Sequence, residues 1–204
     1  MLSQGDITGD ASIVDWARSY IRKKYSKKGN VFIGLPHRLD RPVSGVIILA
    51  RTSKALIRLN EAFKQQKIVK HYLAISGNPP PEISGKLIHF LAKDPKMKMA
   101  VIDNSVGRES VSFYRLIAQV RQKFLIEIRP VTGRPHQIRV QLAAIGCPIW
   151  GDKKYGFPGP MRKGKIALHC RKIEWIHPVR KETMAIVAPI PGNSIWADFF
   201  QSIT

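Results

Sequence analysis

The sequence of 204 residues has few acidic side chains, few cysteines and no long apolar run. Only 14 Asp and Glu residues oppose 34 Lys and Arg residues, which leaves a formal net charge of +20. The two cysteines, Cys147 and Cys170, have no metal-type spacing, and separate buried thiols are favoured over a disulfide. Apolar runs such as residues 46–50 are far shorter than the roughly 20 residues that cross a bilayer. The sequence therefore predicts neither a membrane-spanning helix nor a disulfide-built domain.

The composition predicts a folded, basic domain. With 44% hydrophobic residues the chain can bury a core, so its positive charge is displayed on a folded surface. Such a surface attracts polyanions, and nucleic acid is a commoner partner than an anionic membrane. The first residues lack the basic start and apolar centre of a secretory signal, so we expect a cytoplasmic protein. Charge alone does not distinguish binding from catalysis.

Hydrophobic patterning predicts the α+β class with a mixed, mainly antiparallel β-sheet flanked by short helices and loops. Helices are predicted at residues 12–28 after a capping box of Ser12 and Asp15, at 53–66 with Ser53 as cap, and from Pro135 to Gly146. Strands are predicted at residues 46–50, 69–76, 86–92, 98–102, 110–120, 123–129, 166–176 and 183–188, with a short amphipathic tail from Ser194. In residues 69–76 apolar and polar positions are expected to alternate between the two faces. The strands lack a βαβ rhythm, which favours α+β over α/β.

The end of the first predicted helix is strongly basic. Its cationic residues are Arg22, Lys23, Lys24, Lys27 and Lys28. They suit the negative end of the helix dipole and could also contact a phosphate backbone. A merely solvated basic helix end is an equally good interpretation.

Several common catalytic signatures are absent. The chain has no Gly-rich phosphate loop, dinucleotide fingerprint, metalloprotease helix or paired CxxC. Ser44 lacks the first glycine of a nucleophile elbow, so a serine hydrolase has little support. His169 and Cys170 are neighbours in a predicted strand, so their side chains point to opposite faces. A cofactor-free reaction or pure binding remains.

A polar loop at residues 36–45 precedes the predicted buried strand. Within it Asp40 lies between Arg38 and Arg41. Nearby positive charge favours the ionised carboxylate, which suits a nucleophile or a base. The structural alternative is an aspartate that anchors a turn through hydrogen bonds to its own backbone.

A second polar cluster covers residues 129–139. Its spacing puts His136 and Arg139 on one face of the third predicted helix. An arginine on such a rigid element can pair with a buried carboxylate or bind a phosphate. A purely structural ion pair is the alternative.

Taken in order, these segments resemble the RluA family of pseudouridine synthases. The motifs that carry the resemblance are His37-Arg38-Leu39-Asp40 with Ser44-Gly45, Lys70-His71-Tyr72, Gly133-Arg134-Pro135-His136-Gln137-Ile138-Arg139, Gly146-Cys147-Pro148-Ile149, Gly151-Asp152 and Tyr155-Gly156. Their order and spacing agree over most of the chain.

The chain departs from the family pattern in two places. Val43 stands where the family usually has a threonine, which removes one hydroxyl from the loop. The strand and Asn-Lys-Pro-x-Gly segment that open family catalytic domains are absent. We therefore expect one N-terminally short catalytic domain over residues 1–204, without a separate RNA-binding domain.

The resemblance implies an RNA uridine isomerase with a central basic cleft and no redox or metal cofactor. It implies that Asp40 is the catalytic aspartate, that Tyr72 stacks on the target base and can act as a base, and that Arg139 pairs with Asp40. Substrate-binding or supporting roles are expected for His37, Arg38, Arg41, Arg134, His136 and Gln137. Asp40 would either attack the ribose or remove the proton from C2′.

The resemblance also gives an expected partner. That partner is RNA, with large-subunit ribosomal RNA the first candidate and transfer RNA the second, and a monomer is the expected state. The alternative function is a non-catalytic RNA-binding protein that retains the synthase fold.

Overall fold

The computed structural model describes residues 12–97, 99–159, 164–177, 179–192 and 194–203. One sheet of eight strands forms the centre of these residues. The strands are β1 (Ser44–Gly45), β2 (Val69–Ser76), β3 (Ser84–Asp94), β4 (Met99–Ile102), β5 (Arg108–Val120), β6 (Lys123–Pro130), β7 (Leu168–Ile176) and β8 (Thr183–Val187). The helices are α1 (Ile13–Lys24), α2 (Ser53–Lys64), α3 (Gln137–Ala144) and α4 (Ser194–Ala197), with 3₁₀ turns at Lys153–Tyr155 and Phe200–Ser202.

The sheet has the order β1-β7-β2-β6-β5-β3-β4, and β8 pairs with β7 beyond the residues that pair with β1. β1 runs parallel to β7, whereas the other pairs of named strands are antiparallel. The predicted α+β class with a mixed, mainly antiparallel sheet is confirmed. The strands predicted from residue 69 onward lie within two residues of the observed ones.

The strand predicted at residues 46–50 is wrong. β1 covers only Ser44–Gly45, and residues 46–49 then leave the sheet. The backbone N–H of Ile48 donates to His37 Nε2 at 2.8 Å instead of to a neighbouring strand. Val46 and Ile48 are nevertheless buried in the main core. The His37 side chain thus accepts the backbone hydrogen bond that a neighbouring strand was expected to accept.

The predicted bounds of all three helices need correction. α1 has the predicted Ser12 cap, with Asp15 N–H donating to Ser12 Oγ at 3.1 Å, but it ends at Lys24 because Ser26 adopts a positive φ. α2 is capped by Thr52 rather than by Ser53, since Ala55 N–H donates to Thr52 Oγ1 at 3.1 Å. It ends at Lys64 rather than at residue 66.

The third helix, α3, also starts later than predicted. This helix begins at Gln137 and not at Pro135, because His136 takes the left-handed backbone conformation with a φ of 55°. The end of the segment agrees with the prediction, since Gly146 adopts a φ of 78° just beyond the helix.

The alternation predicted for β2 is wrong over its second half. Leu73, Ala74 and Ile75 are all buried. β2 is paired along both edges, with β6 and β7, and the burial of three successive residues shows that both faces of this half are covered. Apolar residues therefore succeed one another where a half-exposed strand would alternate.

The core extends from the sheet to the C-terminal tail. Trp196 and Phe199 are buried in the same cluster as the sheet residues Ile75 and Leu125. α1 packs separately, with Val14 and Ala17 against the segment after it. Cys147 and Cys170 are free and buried, as predicted. No helix among the described residues combines the length and apolar character of a membrane span.

Two neighbouring phenylalanines test the contribution of the tail to the core. Phe199 is fully buried, whereas Phe200 is 46% exposed. We expect Phe199→Ala to lower the free energy of unfolding by about 3–5 kcal/mol, because it leaves a cavity. Phe200→Ala is the matched control and should change it by less than about 0.5 kcal/mol. Urea denaturation measures both, and equal effects would contradict the buried placement of the tail.

The bond from Ile48 to His37 predicts a pH dependence of stability. Burial, followed by the charge of Lys70, lowers the pKa of His37 from 6.5 to about 4 in the folded protein. The unfolded chain therefore binds a proton first as the pH falls. The stabilising contribution is complete above pH 6.5 and is lost towards pH 4, a loss of about 3 kcal/mol.

The measurement is the free energy of unfolding from pH 7 to pH 4 for the wild type and for His37→Gln. Glutamine does not titrate, so the variant should show a shallower decline over this window. Parallel curves for the two proteins would show that His37 does not lose a proton on folding.

Candidate active site

A cleft of about 970 Å³ opens between the loop before β1 and the loop before α3. All nine residues singled out from the sequence line it: Asp40, Tyr72, Arg139, His37, Arg38, Arg41, Arg134, His136 and Gln137. They come from three distant parts of the chain. The fold therefore brings the predicted site residues together in one cavity.

The loop that carries Asp40 is held at both ends. Before Asp40, the half-buried ring of His37 accepts the Ile48 N–H and stacks on Phe63 with ring centroids 4.8 Å apart. After Asp40, Gly45 has a φ of 122° and lies so close to β7 that a Cβ would be 2.2 Å from the Cys170 carbonyl oxygen. Only glycine can occupy this position without moving the strands. His37 is thus engaged in holding the loop.

Arg139 forms its strongest contacts with Asp152 rather than with Asp40. Its Nε and Nη2 donate to the two oxygens of Asp152 at 2.7 and 2.8 Å, a two-pronged ion pair. Its Nη1 lies 3.4 Å from Asp40 Oδ2. Asp152 and Arg139 are buried, whereas the Asp40 side chain is 30% exposed. The expected pairing of Arg139 with Asp40 is present, but it is the weaker of the two.

The pKa of the Arg139 guanidinium reflects the same arrangement. Burial by itself lowers this pKa, while the hydrogen bonds and charge of Asp152 raise it, and the net direction is upward. Arg139 is therefore a permanent cation, fixed by one carboxylate and facing another.

His136 and Tyr155 form the other wall beside Asp40. His136 Nδ1 lies 2.7 Å from the Tyr155 hydroxyl, and His136 Nε2 lies 3.9 Å from Asp40 Oδ2. The hydroxyl also donates to the Ala100 carbonyl and accepts the Ala100 N–H, at 3.2 and 3.0 Å. Burial raises the pKa of Tyr155 to about 12 and lowers that of His136. Both groups are therefore neutral at neutral pH.

Tyr72 lies on β2 at an irregularity in the pairing with β7. The register shifts between His71 and Tyr72, so Arg171 has no direct partner on β2. Tyr72 is buried at the cleft, and burial, followed by the adjacent Cys170, raises its pKa well above 10. The phenol is protonated at neutral pH, so in this state it can donate a proton but not accept one.

The cleft is lined with cations. Arg38, Arg41 and Arg134 face it together with Lys70, whose pKa is lowered by burial. Arg134 Nε is buried without a hydrogen-bond partner among the described residues. An unsatisfied guanidinium nitrogen of this kind suits a phosphate oxygen.

Gln137 is engaged within the protein. Its carbonyl oxygen accepts from Thr132 Oγ1 and the Arg134 N–H at 2.7 and 3.0 Å, and its amide donates to Val111 O and Ser112 Oγ, both at 3.0 Å. These bonds hold the loop before α3 against β5. Gln137 therefore supports the cleft wall that carries Arg134 and His136.

Asp152, Tyr155 and Lys70 received no role from the sequence, although all three belong to the motifs quoted above. The glycines next to two of them were the sequence signal that could have pointed to this segment. Gly151, before Asp152, and Gly156, after Tyr155, both adopt a positive φ. Within the described residues, no group of three or more His, Cys, Asp and Glu side chains could hold a metal ion.

Residues 3–144 match the sequence profile described as RNA pseudouridylate synthase. Ribosomal large subunit pseudouridine synthase C of Rickettsia prowazekii is 33% identical over 172 residues, which cover 82% of this chain and 57% of that protein. Ribosomal large subunit pseudouridine synthase D of Xylella fastidiosa is 34% identical over 174 residues, covering 78% of this chain and 52% of that protein. The chain thus spans little more than half the length of these relatives.

Two solved structures share the fold. Human RNA Pseudouridylate Synthase Domain Containing 4 superimposes with a TM-score of 0.79 at 22% identity, over 100% of this chain and 86% of that one. Human RNA Pseudouridylate Synthase Domain Containing 1 gives a TM-score of 0.69 at 22% identity, over 86% and 74%. The profile match covers more than half of the sequence and confirms the resemblance found in its motifs. The chain belongs to the RNA pseudouridylate synthase family.

Proposed function

We propose that the protein converts uridine to pseudouridine in RNA. The reaction breaks the N1–C1′ bond, turns the uracil and joins C5 to C1′, so that C5 loses a proton and N1 gains one. Reactant and product are isomers, and the conversion requires no oxidant or reductant. The observation that carries the proposal is the Asp40 carboxylate, partly exposed in a basic cleft beside the fixed guanidinium of Arg139.

The division of contacts around Arg139 supports Asp40 as the reacting group. Two of the guanidinium nitrogens are engaged by Asp152, and the third lies at a longer 3.4 Å from Asp40. Asp40 therefore faces one guanidinium nitrogen and has no two-pronged partner among the described residues. A carboxylate oxygen of Asp40 can attack C1′ or remove the C2′ proton, and both steps need the ionised form.

Tyr72 supplies a surface for the target base. The reacting atoms of a uridine are inaccessible in a stacked helix, so the nucleotide must turn out into the cleft. The ring of Tyr72 lies at the cleft beside Asp40, where a uracil can stack on it. Because burial raises the pKa of Tyr72, we assign it stacking and hydrogen-bond donation ahead of the role of a base.

The cations at the cleft support an RNA substrate. Arg38, Arg41 and Arg134 can contact phosphates on either side of the flipped nucleotide. We propose large-subunit ribosomal RNA as the substrate, because the relatives cited above are named for it, with transfer RNA as the second candidate. We further propose that the protein acts as a monomer in the cytoplasm.

Replacement of Asp40 by asparagine tests the chemical role. Asp40→Asn should lower the turnover of a large-subunit ribosomal RNA transcript by on the order of 10³-fold or more, because the anion is lost. RNA affinity should stay within about threefold, since it depends on phosphate contacts. Tritium release from C5-labelled uridines measures turnover, and filter binding measures affinity.

Asp94→Asn, at an exposed turn, is the matched control and should retain activity. An active Asp40→Asn variant would remove Asp40 from the mechanism. A wild-type protein that binds the transcript but converts no uridine would favour the non-catalytic RNA-binding alternative.

Asp152 is proposed to position Arg139, and a second substitution tests this. Asp152→Asn leaves a buried guanidinium with half of its ion pair, so we expect about 3–5 kcal/mol less stability. It should also lower kcat by about 10–100-fold, because Arg139 is free to move onto Asp40. Urea denaturation and steady-state kinetics per folded molecule are the measurements.

The control for this prediction is Asp198→Asn, which breaks the partly exposed pair of Asp198 with Lys123. It should cost at most about 1 kcal/mol and leave kcat unchanged. If Asp152→Asn lost stability with no change in kcat, Asp152 would be a purely structural partner of Arg139.

A further inference from the structure

α1 and the residues near it carry a row of aromatic rings and cations on the protein surface. Trp16 and Tyr20 stack with ring centroids 5.4 Å apart and planes within 10°. Lys24 Nζ donates to the Tyr20 hydroxyl at 3.0 Å and lies 5.8 Å from the ring centroid of Tyr25. Arg51 lies over the same Tyr25 ring at 4.6 Å. We call these five residues the aromatic–cation ladder.

The ladder is exposed although α1 is well anchored. Trp16, Tyr20 and Tyr25 are 53%, 45% and 49% exposed. The opposite side of α1 buries Val14 and Ala17, so the helix does not need the ladder to pack. Two stacked rings, with a third joined to them through Lys24, form a larger apolar surface than scattered surface residues do. Such a surface indicates a partner.

The charge around the ladder selects the kind of partner. Asp15 pairs with Arg18 at 3.0 Å, and no Asp or Glu follows from residue 16 to residue 39. The cations of this stretch near the end of α1 are Arg22, Lys23, Lys24, Lys27 and Lys28. Flat rings interleaved with cations bind unpaired nucleic acid, because bases stack on the rings while phosphates contact the cations. A membrane-bound amphipathic helix would instead present its aliphatic face, and that face of α1 is buried in the domain.

The ladder is connected to the rim of the cleft. Gly34 and Ala50 form an antiparallel bridge, with N–H···O distances of 2.8 and 2.9 Å in the two directions. Arg51 follows Ala50 directly, and Leu35, which follows Gly34, lines the cleft. Arg51, at one end of the ladder, is therefore adjacent in sequence to one side of this bridge. The residue after the other side of the bridge, Leu35, belongs to the cleft wall.

We propose that the aromatic–cation ladder binds unpaired nucleotides of the RNA that flank the target uridine, a site outside the catalytic cleft. The bases stack on Trp16 and Tyr20, and the phosphates contact Lys24, Arg51 and the neighbouring cations. This inference rests on the proposed function for the identity of the RNA. It adds a requirement for single-stranded RNA next to the target.

The double variant Trp16→Ala/Tyr20→Ala tests the ladder. The matched control is Phe90→Ala/Phe113→Ala, which removes two exposed aromatic rings from β3 and β5. The probes are a 20-nucleotide oligouridylate and an RNA hairpin duplex of equal length, and fluorescence anisotropy at physiological ionic strength gives Kd. The ladder variant should bind oligouridylate about tenfold or more weakly and the duplex within threefold of wild type, since stacking needs unpaired bases. The control should match wild type for both.

A second measurement does not depend on the variants. Oligouridylate containing 5-iodouridine, crosslinked to the wild-type protein by ultraviolet light, should yield adducts on Trp16, Tyr20 or Tyr25 in mass spectra of the peptides. Asp40→Asn should give the same adducts. Adducts confined to the cleft residues would overturn the inference.

Three other outcomes would also overturn it. The first is an equal loss of oligouridylate affinity in the ladder variant and in the control variant. The second is an equal loss of affinity for oligouridylate and for the duplex in the ladder variant. The third is a ladder variant that binds RNA like the wild type but no longer sediments with phosphatidylserine vesicles. Failure of the proposed function gives a different result. In that case the ladder still binds oligouridylate, but the wild-type protein converts no uridine in a ribosomal RNA transcript.

Discussion

The buried ion pair between Arg139 and Asp152 is the constraint around which the site is organised. A guanidinium enclosed by protein needs a partner of opposite charge, and the Asp152 carboxylate accepts two hydrogen bonds from it. The pair joins α3 to the segment that precedes the 3₁₀ turn at Lys153–Tyr155. It also fixes the plane of the guanidinium, and that plane decides where the remaining nitrogen meets Asp40.

The other parts of the site are held by equally definite contacts. The loop of Asp40 is anchored by the ring of His37 and by the approach of Gly45 to β7. The loop before α3 is anchored by the four hydrogen bonds of Gln137. The sequence made His37 and Gln137 candidates for substrate contact. In the structure their polar groups form hydrogen bonds that hold the walls of the cleft. The remaining cations face the space where a phosphate backbone would lie.

Positive charge has two different settings in this protein. In the cleft, burial lowers the pKa of Lys70, and burial followed by the charge of Lys70 lowers the pKa of His37. In the aromatic–cation ladder Lys24 and Arg51 are exposed and lie over aromatic rings, where solvent weakens the repulsion between cations. The first setting suits a single nucleotide held closely, and the second suits a flexible strand. Under the two proposals, the net charge of +20 provides two kinds of contact with RNA.

The sequence alone determined the features that depend on neighbouring residues. Alternation and turn residues predicted the strands from residue 69 onward and the α+β class, because these signals act over a few positions. The motifs named nine residues that line one cleft. Local signals failed where a side chain or an unusual backbone conformation prevailed. The Ile48 N–H donates to the His37 ring instead of to a strand. The left-handed conformation of His136 makes α3 begin at Gln137 rather than at Pro135.

The tertiary structure alone decided how those residues are paired. Asp40 and Arg139 are 99 positions apart, and nothing in the spacing of their motifs states that Asp152 holds the guanidinium more closely. The order of the strands and the path of each loop determine which side chains meet. Hydrogen-bond partners, burial and the resulting pKa directions follow from that meeting, because each depends on distances in space rather than along the chain.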